Sequence, residues 1–277
     1  MIAKKLFRTL ARVIPQCGMV SQAVAFNMFL VFFPILLVAL GLMSRSLRGK
    51  SGPELAVRLS TILPPGSGPL VSDFLVRREV NPWKWVLLGW VGTVLVGTQV
   101  MKLITEGIHL IYGDRKRPSF LIRQLRGLLL FCVSIVAWFL AVALSVFGRP
   151  LRQWMTRGLG QSPLARGFWT VMLPVLAMIL AMFVLALIYR VARPSATTWN
   201  SVLPGAAAAT ILWWGVNLLL GVYFRQMQFG PLYGGVAGAI GLMVWMEFSA
   251  MIVFFGAAWN AESAALRDSP KLLQIPG

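Results

Sequence analysis

Six apolar stretches constrain this chain more than anything else in it, because each is about as long as a bilayer is thick. They cover roughly residues 20–43, 85–108, 127–147, 168–189, 201–224 and 232–259. About 20 apolar residues rising 1.5 Å each cross ~30 Å of hydrocarbon. No water is present there to meet a free N–H or C=O, so such a segment must be helical along its length. Most of these stretches are uncharged; the last holds Glu247, and the second is clean from Trp85 to Met101 before it reaches Lys102 and Glu106. The expected fold is all-α: a polytopic membrane bundle of six transmembrane helices with short amphipathic interfacial helices. The loops leave no room for a separate globular part, so residues 1–277 read as a single integral membrane domain.

Composition agrees. Hydrophobic residues make up 58% of the chain, above the usual 45–50% of soluble domains. The net charge is +18, from 26 Lys+Arg against 8 Asp+Glu. On a soluble protein that balance would suggest nucleic acid. Here the basic residues flank spans, where they fix topology and meet lipid headgroups. The expected partners are therefore membrane lipids with anionic headgroups, and not nucleic acid. Cys17 and Cys132 lie just before and inside apolar spans, so a disulfide is not expected. Two cysteines with the single histidine, His109, make no zinc site. No cofactor is expected. The start, MIAKKLFRTLARVIPQCG, is basic but has no short apolar core followed by a small-residue cleavage site, and is read as a retained, partly amphipathic segment.

Between spans, residues 44–84 read as an interfacial loop, with a helix over SGPELAVRLSTIL broken by LPPGSGP and a second short piece in PLVSDFLVRREV. Residues 149–163 read as another interfacial segment, the third span ending at Gly148–Pro150. Pro34 is expected to kink the first span. The short link Arg225–Pro231 makes the last two helices antiparallel neighbours. Six spans put both termini on one side. The basic residues divide almost evenly between the two sides, and the leading cluster Lys4, Lys5, Arg8 and Arg12 favours cytoplasmic termini.

Soluble-enzyme motifs are nearly absent. Gly49-Lys50-Ser51 resembles the end of a phosphate-binding loop, but Ser44 stands where its first glycine should be. The polar residues inside the spans are more informative. Gln99, Lys102, Glu106 and His109 follow the spacing i, i+3, i+7, i+10, which puts all four on one helical face. Charge at this depth is expensive in lipid and should face protein or water. The face is either a polar pathway or substrate contact, or a satisfied cluster snorkelling toward headgroups. Glu247, near the middle of the sixth span, must be protonated or paired, and Lys102 is one conceivable partner. Asn27 joins the candidate pathway residues, although an asparagine in a span more often holds helices together, as is expected of Asn217. Gly205, Ala209, Asn217 and Gly221 form a small-residue face on the fifth helix, and Gly234, Gly238 and Gly241 a second on the sixth; both are read as packing faces. Trp83, Trp85, Trp154, Trp169, Trp199 and Trp259 fit interfacial belts. Trp213, Trp214 and Trp245 are too deep for that and are expected to pack inside the bundle.

SQAVAFNMFLVFFPILLVALGLM (21–43), TTWNSVLPGAAAATILWWGVNLLLGVYFRQM (197–227) and FGPLYGGVAGAIGLMVWMEFSAMIVFFGAAWNAE (229–262) together resemble the YihY/BrkB family of bacterial membrane proteins. The resemblance covers most of the chain and is most specific in its last third. It implies six transmembrane helices in a bacterial inner membrane with cytoplasmic termini. Members have been called ribonuclease BN, a tRNA-processing label, and have been linked to virulence and serum resistance. The resemblance carries no catalytic residues to this sequence. Gly-Ala-Ala-Trp-Asn (256–260) replaces the family's more usual Gly-Ala-Glu-Leu-Asn, and Glu247 stands where an apolar or aromatic residue is usual.

A nuclease would need several convergent carboxylates or histidines to hold metal, and the eight acids here are scattered. The expectation is a non-enzymatic protein that transports or handles an anionic or lipid-like substrate. The alternative is a non-transporting scaffold or envelope assembly factor, and a remote third is RNA processing.

Overall fold

The computed structural model describes residues 2–46, 82–114, 118–158, 163–193, 198–226 and 234–272. Six helices account for nearly all of them: α1 (Ile2–Ser46), α2 (Pro82–Tyr112), α3 (Phe120–Gly158), α4 (Pro163–Ala192), α5 (Trp199–Gln226) and α6 (Gly234–Leu272). No strand occurs among the described residues. Each helix contains a stretch long and apolar enough to cross a membrane: Cys17–Ala39, Trp83–Tyr112, Phe120–Ala137, Val175–Ala192, Trp199–Tyr223 and Gly238–Ala265. These overlap all six expected spans. Most of the expected interfacial loop, residues 47–81, lies outside the described residues. Over the other expected interfacial segment, 149–163, α3 continues helical through Pro150 to Gly158. A proline inside a helix removes only its own N–H bond and displaces one carbonyl, which a long helix survives.

Side-chain burial is inverted relative to a soluble protein. On α5, Ile211, Trp214, Leu218 and Val222 recur at three- and four-residue spacing and are all exposed, as are Leu88, Val91 and Leu95 on α2. Beside large buried side chains such as Ile108, Leu130 and Phe254, many buried positions are small or weakly polar, among them Ser21, Thr93, Thr98, Thr105, Ala206, Ala209, Thr210, Ala257 and Asn260. Lipid is as apolar as leucine, so large side chains gain nothing by leaving it, and close backbone approach decides what faces protein. The buried hydroxyls of Thr93, Thr105 and Thr210 donate to carbonyls one turn back, Gly89, Met101 and Ala206, which satisfies them without a neighbouring helix. Trp213 and Trp214 correct the expectation of inward packing: they are 37% and 52% exposed. An indole is too bulky for a face on which helices meet at glycine and alanine.

The chain divides into two compact units. In the unit formed by Met1–Val20, Met101–Val216 and Met251–Gly277, the Val253–Ala261 stretch of α6 is the hub. Phe254, Phe255, Ala257, Ala258, Asn260 and Ala261 are all buried, so this helix is enclosed on every side, as a central helix must be. Gly107 of α2 leaves the space that the Phe254 ring fills. Tyr189 of α4 donates its hydroxyl to the Val253 carbonyl at 2.7 Å. Gly205 of α5 meets Gly256 backbone to backbone: a Cβ at Gly256 would stand 2.6 Å from the Gly205 carbonyl oxygen and 2.8 Å from Ala209 Cβ.

Asn260 locks that crossing. Its Oδ1 accepts the Gly205 N–H at 2.7 Å and its Nδ2 donates to the Val202 carbonyl at 3.0 Å. Pro204 sits inside α5 beside both groups and cannot itself donate to the helical ladder. One buried side chain from α6 thus serves an N–H and a C=O of α5. Asn260→Ala is expected to lose about 1–3 kcal/mol, because two buried backbone groups lose their partner, and the thermal midpoint of the detergent-solubilised protein measures it. A midpoint equal to wild type would show that water or a neighbour replaces the amide.

In the second unit, Ser21–Val100 with Asn217–Ala250, α1 and α2 cross at Pro34. A Cβ at Gly89 would lie 2.7 Å from the Pro34 carbonyl oxygen, and one at Gly92 would lie 3.2 Å from the Pro34 ring. Pro34 is therefore a seat for α2. In the same unit Asn217 Oδ1 accepts the Trp245 indole N–H at 2.8 Å, so Asn217 joins α5 to α6, and Trp245 packs as expected.

Candidate functional site

Helix α2 ends in a reciprocal cap. Gly113 adopts φ +69°, the left-handed region that favours glycine. Its N–H donates to the Leu110 carbonyl at 3.1 Å, and the Asp114 N–H donates to the His109 carbonyl at 3.0 Å. This pair of bonds is the Schellman arrangement. It turns the chain back so that the Asp114 carboxylate reaches the His109 ring, Oδ2 to Nδ1 at 2.9 Å.

An acid at the carboxyl end of a helix sits at the wrong pole of the macrodipole, and Arg193, directly after α4, offsets this. Its Nε and Nη2 donate to Asp114 Oδ2 and Oδ1 at 2.6 and 2.8 Å, a bidentate fork. Its guanidinium carbon also lies 4.0 Å from the centre of the Tyr112 ring. Asp114 and Arg193 thereby tie the ends of α2 and α4 together. Burial of Asp114 opposes its charge, but the hydrogen bonds from Arg193 and then His109 outweigh it and hold the carboxyl below its ordinary range. A group depressed on folding contributes stability above its unfolded pKa, ~3.9 for aspartate, and loses it as pH falls through the folded value. Unfolding midpoints are expected to be flat from neutral pH to about pH 5 and to fall below about pH 4, less steeply in Asp114→Asn. Identical acid limbs in both proteins would contradict this.

A small cleft of about 40 Å³ opens beside this cap, lined by Lys102, Thr105, Glu106, His109, Leu110, Asp114, Pro118, Arg123 and Arg126. One water needs ~10–15 Å³, so the cleft admits a few waters or one small polar group. Lys102 Nζ donates to Gln124 Oε1 of α3 at 3.0 Å, which leaves two of its three ammonium donors for other partners. Arg123 and Arg126 come from the first turns of α3.

The structure brings Lys102, Glu106 and His109 into one cleft. Gln99 is exposed and belongs to the other unit. Asn27 donates to the Ala23 carbonyl of its own helix at 2.8 Å. Glu247 is half-buried in α6 and makes no hydrogen bond or ion pair among the described residues. Lys102 is bonded to Gln124. Of the packing residues, Gly205 and Ala209 stand at the α5–α6 crossing, Gly241 is buried and Gly221 half-buried. Gly234 opens α6. Gly238 has nothing within 4 Å of where a Cβ would sit, and the partner of Gly205 is Gly256. Asp114, Arg193, Tyr112, Arg123, Arg126 and Asn260 were not candidates on sequence. Only the Gly113-Asp114 pair at the end of a span offered a signal, as a helix cap.

Six membrane-crossing helices with a cation-lined cleft define an α-helical polytopic membrane protein. The family model described as virulence factor BrkB matches residues 15–273, and the chain belongs to that family. Its relatives include a ribonuclease-like protein, YfkH, of Bacillus subtilis (strain 168), 25% identical over 71% of this chain and 73% of its own length. A UPF0761 membrane protein of Xanthomonas oryzae pv. oryzae (strain PXO99A) is 27% identical over 76% of this chain and 49% of its own. Another, Smlt0865 of Stenotrophomonas maltophilia (strain K279a), is 24% identical over 92% of this chain and 59% of its own. The chain thus spans about half the length of the UPF0761 relatives it matches. No solved structure matches it.

Proposed function

We propose that this protein binds and handles an anionic or lipid-like substrate in a bacterial inner membrane, with both termini cytoplasmic. We take residues 1–277 as a single membrane domain and expect its partners to be lipids with anionic headgroups. The observation that carries this reading is the cleft in which Lys102, Arg123 and Arg126 converge beside Glu106 and His109. The three cations outnumber the two carboxylates of the lining, Glu106 and Asp114, and Asp114 is already matched by Arg193, so the cleft is left net positive and favours an anion. Catalysis is not part of the proposal: among the described residues no group of three or more His, Cys, Asp or Glu could hold a metal ion. The ribonuclease-like name belongs to the Bacillus relative.

A scaffold reading draws support from the many polar groups spent on internal bonds, such as Asn27, Asn217, Asn260 and Asp114. Reconstitution separates the two. Uptake or lipid-transfer assays in proteoliposomes should show activity that Glu106→Ala abolishes. Glu247→Ala tests whether the carboxyl in the middle of the α6 span takes part. Wild-type vesicles indistinguishable from empty ones would favour the scaffold.

A further inference from the structure

The cleft has a chemical preference narrower than negative charge, and it is set by His109. The Asp114 carboxylate, fixed by two bonds from Arg193, can only accept. The His109 Nδ1 facing it must therefore carry the proton. The opposite nitrogen, Nε2, is buried and has no hydrogen-bond partner among the described residues. In the neutral ring Nε2 is an acceptor and needs a donor; in the imidazolium it is a donor and needs an acceptor. Lys102, Arg123 and Arg126 only donate. A ligand that meets these cations and Nε2 together must present anionic oxygen to the cations and, while the ring is neutral, a proton to Nε2.

We infer that the cleft binds a phosphomonoester-type anion, whether free phosphate or the headgroup of a lipid such as phosphatidic acid. This rests on the reading of the cleft as the substrate contact. A phosphomonoester has a second pKa near 6, so at neutral pH roughly a tenth of it, and more as pH falls, holds a proton that it can share with an imidazole nitrogen. The contact can run as N···H–O–P or as N–H···O–P, with the remaining oxygens on the cations in either case. Sulfate and phosphodiesters carry no such proton and can meet Nε2 only when the ring is charged. Selectivity for monoester over diester, and for phosphate over sulfate, is the signature.

The test is calorimetric titration of the full-length protein in phosphatidylcholine nanodiscs with inorganic phosphate and with sulfate. A parallel arm uses nanodiscs doped with phosphatidic acid or with phosphatidylglycerol, free of added phosphate. The inference expects phosphate, phosphatidic acid or both to bind about tenfold more tightly than their proton-free counterparts, the scale of one hydrogen bond. The responding arm identifies the source. His109→Gln should flatten the preference while retaining residual anion binding, and Arg123→Ala with Arg126→Ala should lose binding of every anion. Equal affinity for phosphate and sulfate, and for both lipids, would overturn the monoester inference and leave anion handling standing. No binding of any anion by a folded wild-type protein would overturn both.

Discussion

Gly256→Val is expected to lose more than about 3 kcal/mol of stability, enough to keep much of the protein from folding in the membrane. A side chain at position 256 meets the Tyr189 hydroxyl on α4 and the Gly205 carbonyl oxygen and Ala209 Cβ on α5. Two of those neighbours cannot yield: one is backbone, and one is a methyl group fixed to its helix. Overpacking of this kind costs ~1–3 kcal/mol, occasionally more. Displacing Tyr189 from the Val253 carbonyl adds about 1 kcal/mol. Total stabilities run only ~5–15 kcal/mol. The matched control is Gly238→Val, where nothing stands within 4 Å and a change within ~0.5 kcal/mol is expected. Detergent or thermal unfolding of both variants decides the matter. Equal losses would mean that helix propensity, and not the crossing, governs these positions.

Asp114→Ala carries the second large effect, about 2–3 kcal/mol. Breaking a fully buried ion pair costs ~3–5 kcal/mol because the surviving charge is stranded. Here the two side chains are 23% and 18% exposed, which trims that figure. The loss falls on Arg193, whose bidentate partner disappears, and on His109, whose Nδ1 partner disappears. Replacing Arg193 as well, with leucine, removes the stranded cation, so the double variant should be less unstable than the sum of the singles by about 1–2 kcal/mol. Strict additivity would show that the pair seen between α2 and α4 contributes nothing. Asp114→Ala should also weaken anion binding, since the imidazole is no longer held to one tautomer and orientation.

The spans were legible because the bilayer imposes its thickness on the sequence, and so were the three cleft residues on α2. Lys102, Glu106 and His109 share a face by helical spacing alone, and the structure keeps them together. Gln99 extends the same spacing one turn further, but periodicity says which residues align, not how far along the helix a neighbour reaches. The other half of the site was hidden for the same reason. Asp114 and Arg193 are 79 residues apart, and in sequence each looked like one more charge beside a span. Arg123 and Arg126 looked like topology determinants. On α6 the glycines at 234, 238 and 241 drew notice as a stripe, whereas the close approach falls at Gly256 with Asn260 one turn on. A small residue permits contact, and only the neighbouring helix decides where contact occurs. Trp213 lies deep in its span and is still exposed, because depth in the membrane and burial in protein are separate quantities in hydrocarbon solvent.

The most direct test of the central claim is an experimental density map of the protein in nanodiscs containing phosphatidic acid. The account predicts a phosphate-sized feature bounded by Lys102, His109, Arg123 and Arg126. An empty cleft, with headgroup density only at the outer lipid-facing surface, would contradict it.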